Sequence, residues 1–374
     1  MKVFLSYTIK NKIFALKTKP LKKLFYLLFI YVLSSNAQTL RNYSNEFLNI
    51  GVDASAFGMG KAVTAITDDV NAIYWNPAGL VNIEDNQAAI MHAEYFQGIA
   101  KYDYAAFAKP IDKISTIGIS LIRFSVDDIL NTTQLIDSQG NIDFNRISLF
   151  NASDMALHIG YARQIVFKNF DFGVNAKIIH RRIGDFAKSY GFGLDAGFQY
   201  KTDAYKFGLM LKDVTTTFNA WTIDSDAFDA IANAIPNQNQ EKPETIELTK
   251  PKVQFGVSRL FEFGHDYKLT TEIDLNMRFL KTNDVIATDF VSIDPAIGFQ
   301  FAYDDMIYLR GGINNFQNHT NFDNSKNLSV QPNFGVGFKY NGIQIDYALS
   351  NIGSSDGTLY SNIFSIKVDF SFFR

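Results

Sequence analysis

The chain has 374 residues, enough for one large domain or two ordinary ones, with a formal net charge of −3, no cysteine, 35 Phe, 18 Tyr and only 8 Pro. The absence of cysteine excludes disulfides, thiolate metal sites, cysteine nucleophiles and a lipid-modified cysteine anchor. A heavy aromatic load with near-neutral mean hydropathy argues against a Leu/Ala-rich buried core and for strands that alternate apolar and polar residues, as in a membrane β-barrel.

Residues 1–37 hold seven lysines and no acidic residue, an apolar run from Leu24 to Leu33, and small residues at Ser35 and Ala37. This is the pattern of a secretory signal peptide, and the run is too short to span a bilayer as a helix. Its removal takes seven positive charges away and leaves a net charge of −10, which argues against nucleic acid as a partner.

Residues 38–85 do not alternate. Gly51, Ala54, Ala56, Gly58, Gly60, Ala62 and Ala65 allow close backbone approach, which predicts a segment packed inside something larger. In the stretch Asp68-Asp-Val-Asn-Ala-Ile-Tyr-Trp-Asn-Pro-Ala-Gly-Leu80, Asp68, Asp69 and Asn71 read as turn or cap residues. Pro77 forces Asn76 into extended backbone, and Gly79 permits a tight turn. Tyr74 and Trp75 are the expected apolar anchor, packed against a wall at the periplasmic end, with Asn76–Gly79 leading into the first strand. The segment is expected to act as a plug.

From Asn86 onward the period is two. Leu269, Thr271, Ile273, Leu275 and Met277 share one face, and Thr270, Glu272, Asp274, Asn276 and Arg278 the other. Fourteen such strands are predicted: 86–96, 99–110, 114–126, 153–166, 169–183, 189–201, 204–213, 252–263, 266–280, 293–303, 306–313, 333–340, 343–349 and 362–373. Most have the length of a tilted membrane strand, and their number is even. Connections after the even strands are short, whereas 127–152, 214–251 and 314–332 are long, which is the loop rule of outer-membrane barrels. The long loops are expected to face outward, with an amphipathic helix over Ser225–Ile235. A terminal strand carrying Phe370, Phe372 and Phe373 resembles the signal read by barrel-assembly machinery.

The charges Lys177, Asp195, Glu272, Asp274, Arg278, Lys339, Asp346, Lys367 and Asp369 fall on the inward face, and their mixed sign favours an internal plug over an ion-selective channel. The five histidines (92, 158, 180, 265 and 319) are scattered and predict no metal site. The adjacent acids Asp127-Asp128 and Asp304-Asp305 read as turns. No nucleophile elbow, phosphate loop or dinucleotide fingerprint is present, so neither catalysis nor a cofactor is expected.

Gly51-Val-Asp-Ala-Ser-Ala-Phe-Gly-Met-Gly60, Asp68–Leu80 and His92-Ala-Glu-Tyr-Phe-Gln-Gly-Ile-Ala-Lys-Tyr-Asp-Tyr104 together resemble the opening of the PorV/PorQ family, an outer-membrane branch of the FadL-like fourteen-stranded barrels. The Asn-Pro-Ala core is shared with FadL-type fatty acid transporters. The resemblance implies a protein of the type IX secretion pathway that binds machinery subunits or sorting-domain cargo through its extracellular loops and sits in outer-membrane lipid. The alternative it leaves open is a FadL-like transporter of hydrophobic small molecules. The expected organisation is a signal peptide over 1–37, a plug over 38–85, and an all-β transmembrane barrel over 86–374.

Overall fold

The computed structural model describes residues 44–373, apart from 97, 137–138, 166–168, 227, 230–244, 321–324 and 351–359. The signal peptide and most of the helix expected over Ser225–Ile235 lie outside the described residues.

Fourteen strands form the wall: β1 (Gln87–Tyr95), β2 (Ala100–Asp112), β3 (Ser115–Asn131), β4 (Ser148–Gln164), β5 (Phe170–Ile183), β6 (Ala187–Lys201), β7 (Tyr205–Lys212), β8 (Lys252–Phe263), β9 (Tyr267–Arg278), β10 (Ser292–Tyr303), β11 (Ile307–Thr320), β12 (Lys326–Tyr340), β13 (Ile343–Ser350) and β14 (Ser361–Asp369). Each pairs antiparallel with the next. The sheet closes where β1 meets β14, from Gln87 opposite Asp369 to Glu94 opposite Asn362. Closure removes the unpaired edges that an open sheet would leave.

The alternation in the sequence sets the two faces. Phe107, Ile119, Ile178, Ile273, Phe299, Val336 and Ile366 point outward and are exposed, while Asn175, Lys177, Asp195, Glu272, Asp274 and Asp346 point inward and are buried. A wall with an apolar outside and a polar inside suits a surround of lipid, because its backbone groups are paired within the sheet apart from local register shifts.

Tight turns join the strands at one end. Asn341 and Gly342 both have positive φ, as a two-residue hairpin turn requires, and so do Asp304 and Asp305. At the other end the strands run further than their apolar pattern. The expected loop 314–332 is largely strand and 127–152 is strand at both its ends: β3 reaches Asn131, β4 starts at Ser148, β11 reaches Thr320 and β12 starts at Lys326. Cross-strand polar pairs such as His319 Nε2 with Ser329 Oγ (2.9 Å) hold these extensions. The outward Leu130, Leu149, Leu328 and Val330 there stand among polar residues, and register shifts between Val126 and Ile129 and between Asn314 and Gln317 interrupt the alternation in the sequence.

The connection 214–251 contains a hairpin, Thr217–Ile223 with Ile246–Thr249, which continues the wall. Thr217–Ile223 pairs with the long-loop end of β6, and β7 with its other end. The two are one strand kinked at Asp213–Thr216, where Asp213 and Thr216 have positive φ. A two-residue strand, Ile286–Ala287, lies beside β10. The last strand ends earlier than expected. Asp369 Oδ1 accepts from the Ser371 amide (3.0 Å) and hydroxyl (2.7 Å), turning Phe370–Phe373 into one 3-10 turn.

Candidate functional site in the barrel lumen

The described part of the N-terminal segment, Ser44–Asp85, runs along the inner face of this wall. Its regular pieces are short: helices over Ala54–Gly58 and Ala72–Trp75, and 3-10 turns over Glu46–Asn49 and Pro77–Asn82. Helices this short are not stable by themselves, so tertiary contacts hold the segment.

The segment meets successive strands as it advances. Near β14, the Ala54 amide donates to Ser365 Oγ (3.1 Å), and Ser365 Oγ donates to Asp53 Oδ1 (2.8 Å). Gly58 then lies on Gly335 of β12, and Met59 and Gly60 lie on Gly312 of β11 and Gly298 of β10. A Cβ at Gly312 would sit 2.2 Å from the Met59 carbonyl carbon, and one at Gly298 would sit 2.3 Å from the Met59 oxygen. Further on, Gly208 of β7 faces the Thr64 carbonyl, and Gly173 of β5 faces Pro77. Inward-facing glycines thus form a belt on which the segment's backbone rests.

Two carboxylates of β9 fasten the middle of the segment. Asp274 Oδ2 accepts from the amides of Val63 and Thr64 (both 3.1 Å) and from Thr64 Oγ1 (2.6 Å). Glu272 accepts from the amides of Ala65 (2.6 Å) and Ile66 (3.1 Å). Hydrogen bonds to a charged group contribute about 1.5–3 kcal/mol each, enough to offset much of the cost of burying these acids.

The residues singled out in Asp68–Leu80 are divided between wall and axis. Asn76 has extended backbone and its Nδ2 donates to the Thr64 carbonyl (2.9 Å) and to the Phe198 carbonyl of β6 (3.1 Å). Asp69 accepts from Lys367 Nζ of β14 and from the Asn71 amide (2.8 Å), and Asp68 pairs with Lys206 of β7 (3.3 Å). Gly79 differs from expectation. It lies within a 3-10 turn, and its lack of a side chain admits the Thr67 carbonyl, which a Cβ would approach to 2.1 Å.

Tyr74 and Trp75 reach the wall at His158 of β4, edge to face with Tyr74 (6.3 Å between ring centres), and at Lys212 of β7, which lies over both rings. They meet edge to face (4.9 Å between centroids) and tie the segment to itself: Tyr74 Oη donates to the Leu48 carbonyl (2.6 Å) and Trp75 Nε1 to the Val52 carbonyl (3.1 Å). The segment is not confined to one end. Ser44 bonds Glu247 in the long-loop hairpin (2.9 Å), whereas Asp68 lies beside the 202–204 turn at the opposite end.

A cavity lies on each side of the segment. The lower one, about 340 Å³, faces the short turns and is lined by Asp53, Asp69, Lys206, Arg310, Lys367 and Trp75 among others. The upper one, about 300 Å³, faces the long loops and includes Lys61, Tyr74, Trp75, Lys212, Lys252 and Arg278. In the upper cavity Lys212 Nζ stands 4.7 Å from the Tyr74 ring centre and 5.7 Å from that of Trp75. Lys61 Nζ stands 5.2 Å from the Phe57 ring. Among the described residues, neither lysine has a carboxylate within ion-pairing distance. Burial lowers the Lys61 ammonium to about 8, against a partial lift from Asp294. Burial likewise raises Tyr74 above the ordinary tyrosine range. An environment of buried cations beside aromatic rings can hold an anionic head next to an apolar body.

Of the inward charges foreseen, Glu272, Asp274 and Lys367 hold the segment. Lys177 joins Asp195 (2.8 Å) and Asp213 (2.5 Å), and Asp346 joins Arg310 (2.6 Å). His158 is a buried residue near Ser120 Oγ (3.2 Å). Lys61, Lys212 and Arg310 were not foreseen. For Lys61 the available signal was a lone cation in a run of small residues, Gly60-Lys61-Ala62; Lys212, followed by Asp213, carries no such signal.

No family model and no curated protein matches the chain. Among solved structures, the Pseudomonas putida toluene transporter TodX superposes with a TM-score of 0.52 at 13% identity, covering 86% of this chain and 99% of that one. A Pseudomonas aeruginosa FadL homologue (TM-score 0.48, 12% identity, 85% and 98% covered) and the Ralstonia pickettii toluene transporter TbuX (0.49, 11%, 85% and 98%) are also similar. At such identity the likeness is one of fold: the chain is a closed, fourteen-stranded antiparallel barrel of the FadL-like kind.

Proposed function

We propose that this protein is an outer-membrane barrel of the FadL-like transport type, and that its upper cavity receives small amphipathic anions. The observation that carries this is the pair Lys61 and Lys212, set against Tyr74, Trp75 and Phe57 without carboxylate partners among the described residues. A buried cation without a counter-ion is costly, and a ligand carboxylate would offset that cost. The exposed apolar band and the likeness of fold to a toluene transporter support a membrane setting and small-molecule traffic. The lining is too polar for a bare hydrocarbon, so the ligand class is narrowed to one with a charged head. The reading calls for no catalysis and no cofactor.

Tryptophan fluorescence of purified protein titrated with a medium-chain fatty acid, and with the alcohol of equal length, tests it. The acid should bind at least about tenfold more tightly, a difference of about 1.4 kcal/mol, and Lys212→Met should erase the preference. Equal binding of both, or of neither, would refute the reading.

A second reading keeps the finer resemblance to the PorV/PorQ family and a role in type IX secretion. It is favoured by the β3–β4 and β9–β10 connections, which carry the exposed Phe144 and Phe290 at the long-loop end, where a cargo protein or machinery subunit could seat. Affinity purification from the native membrane separates the two: a stoichiometric protein partner supports this reading, and recovery of lipid alone counts against it.

A further inference from the structure

The two cavities share one lining residue, Trp75. We propose that its indole is the partition between the two halves of the lumen, so that the passage opens when the ring leaves its place and closes when it returns.

The argument starts from what the rest of the segment is doing. Its backbone is committed to the wall through the glycine belt and through Glu272, Asp274 and Ser365. Moving it bodily would break several buried hydrogen bonds at once. The Trp75 ring is held differently. Its polar tie is the bond from Nε1 to the Val52 carbonyl (3.1 Å). Otherwise it rests against neighbouring rings and small groups: Tyr74 edge to face, and Gly51, whose missing Cβ would lie 3.2 Å from Trp75 Cη2. Gly51 has φ of +107°, a conformation that only glycine adopts readily, so the small residue under the ring is fixed by backbone as well as by space.

The anchor next to it is separate. Trp75 is the last residue of the Ala72–Trp75 helix, and the following Asn76 is the residue bonded to the Phe198 carbonyl of the wall. Rotation about the Trp75 side-chain torsions therefore costs one hydrogen bond and ring contacts, and leaves the wall bonds intact. Lys212, over the Tyr74 and Trp75 rings on the upper side, is placed to feel an arriving anion and to alter its contact with the indole. That last link rests on the proposed ligand class; the partition itself does not.

The test uses the full-length protein in proteoliposomes and the entry of a neutral pentose, a probe that ignores the lysines. Trp75→Ala should raise the entry rate by at least about tenfold, equivalent to removing about 1.4 kcal/mol from the barrier. Trp75→Phe, which keeps a ring, should stay within about twofold of the parent. Tyr74→Phe, a neighbouring change that also loosens the segment by removing the Leu48 bond, should not open the pore. A folded Trp75→Ala protein that stays closed, or a Tyr74→Phe protein that opens equally, would overturn the proposal. A second measurement needs no change at Trp75. The chain has no native cysteine, so Ile50→Cys in the upper cavity and Ile66→Cys in the lower one can each be probed alone. An impermeant maleimide added outside intact cells should label one position and spare the other; labelling of both would refute a partition. Failure of fatty acid binding with a working partition, or the reverse, tells the two proposals apart.

Discussion

The two cavities are alike in size and in polarity, yet their most buried cations are partnered differently. In the lower one the cations stand opposite carboxylates: Arg310 with Asp346 at 2.6 Å, Lys367 with Asp69, and Lys206 with Asp68 at 3.3 Å. In the upper one Arg278 approaches Asp284 at 3.8 Å, but Lys61 and Lys212 face aromatic rings. Composition alone does not separate the two, but pairing does. A paired set is part of the scaffold, and removing one member strands the other. An unpaired set adds nothing to the scaffold and is kept at a desolvation cost, which makes sense where a negative charge arrives from outside.

The largest test of this contrast is Arg310→Met. Both side chains of the Arg310–Asp346 pair are 2% exposed, so the change leaves a buried carboxylate with the Gln344 amide (2.8 Å) but without its ion-pair partner, and should cost about 3–5 kcal/mol, read from urea or heat unfolding. Lys212→Met should cost less than about 1 kcal/mol in the same assay, since no partner is left behind. Equal losses would erase the distinction between the cavities. Next in size, Gly312→Val should push Met59 and Gly60 off β11 at a cost of about 1–3 kcal/mol and expose the segment to trypsin at Lys61.

A pH titration sharpens the same comparison. Lys61 has its folded ammonium lowered to about 8 by burial, below the value of 10.5 for a free lysine. Above pH 8 the unfolded chain therefore binds the extra proton, and stability should rise with pH from there to about 10.5. Affinity for an anion should fall over the lower part of that window as the charge is lost. Lys61→Met should flatten both curves; unchanged curves would mean that Lys61 does not titrate there. The smallest effect expected is that of Asp68→Asn, whose pair with Lys206 is more than a third exposed on both sides and should contribute no more than about 0.5 kcal/mol to unfolding.

Much of the wall was legible because one physical condition acts along each strand. An outward Ile273 beside an inward Asp274 states which face is which without any knowledge of neighbours. The strands end in the sequence where that condition ends. The region beyond Ile313 of β11 is strand all the same, but Asn314, Asn315, Gln317, Asn318 and His319 are all polar and carry no alternation. The lumen was legible only in outline. Glu272 and Asp274 could be placed inside, yet their partners are amides more than two hundred residues away. Whether a lysine is paired is equally invisible locally: Lys367 finds Asp69 at a separation of 298 residues, while Lys212 finds a ring. Tyr74 and Trp75 were recognised as anchors, but nothing beside them in the chain says that Tyr74 bonds the Leu48 carbonyl and Trp75 the Val52 carbonyl of the same segment.

The glycine belt also bears on how the molecule is assembled. The part of the segment that rests on it is made before every strand that carries those glycines, and Asp53 must wait for Ser365, 312 positions later, before its bond can form. Contacts this distant in sequence are slow to form, because the chain entropy is lost before they repay it. Once β1 has paired with β14 there is no edge through which a coiled segment could enter from the side. A segment already in place while the sheet is open avoids threading through an end, with the strands closing around it as staves close around a former. On this view, its length along the belt gauges the circumference, and a shortened segment should leave the barrel with the wrong fit before it leaves it with the wrong function.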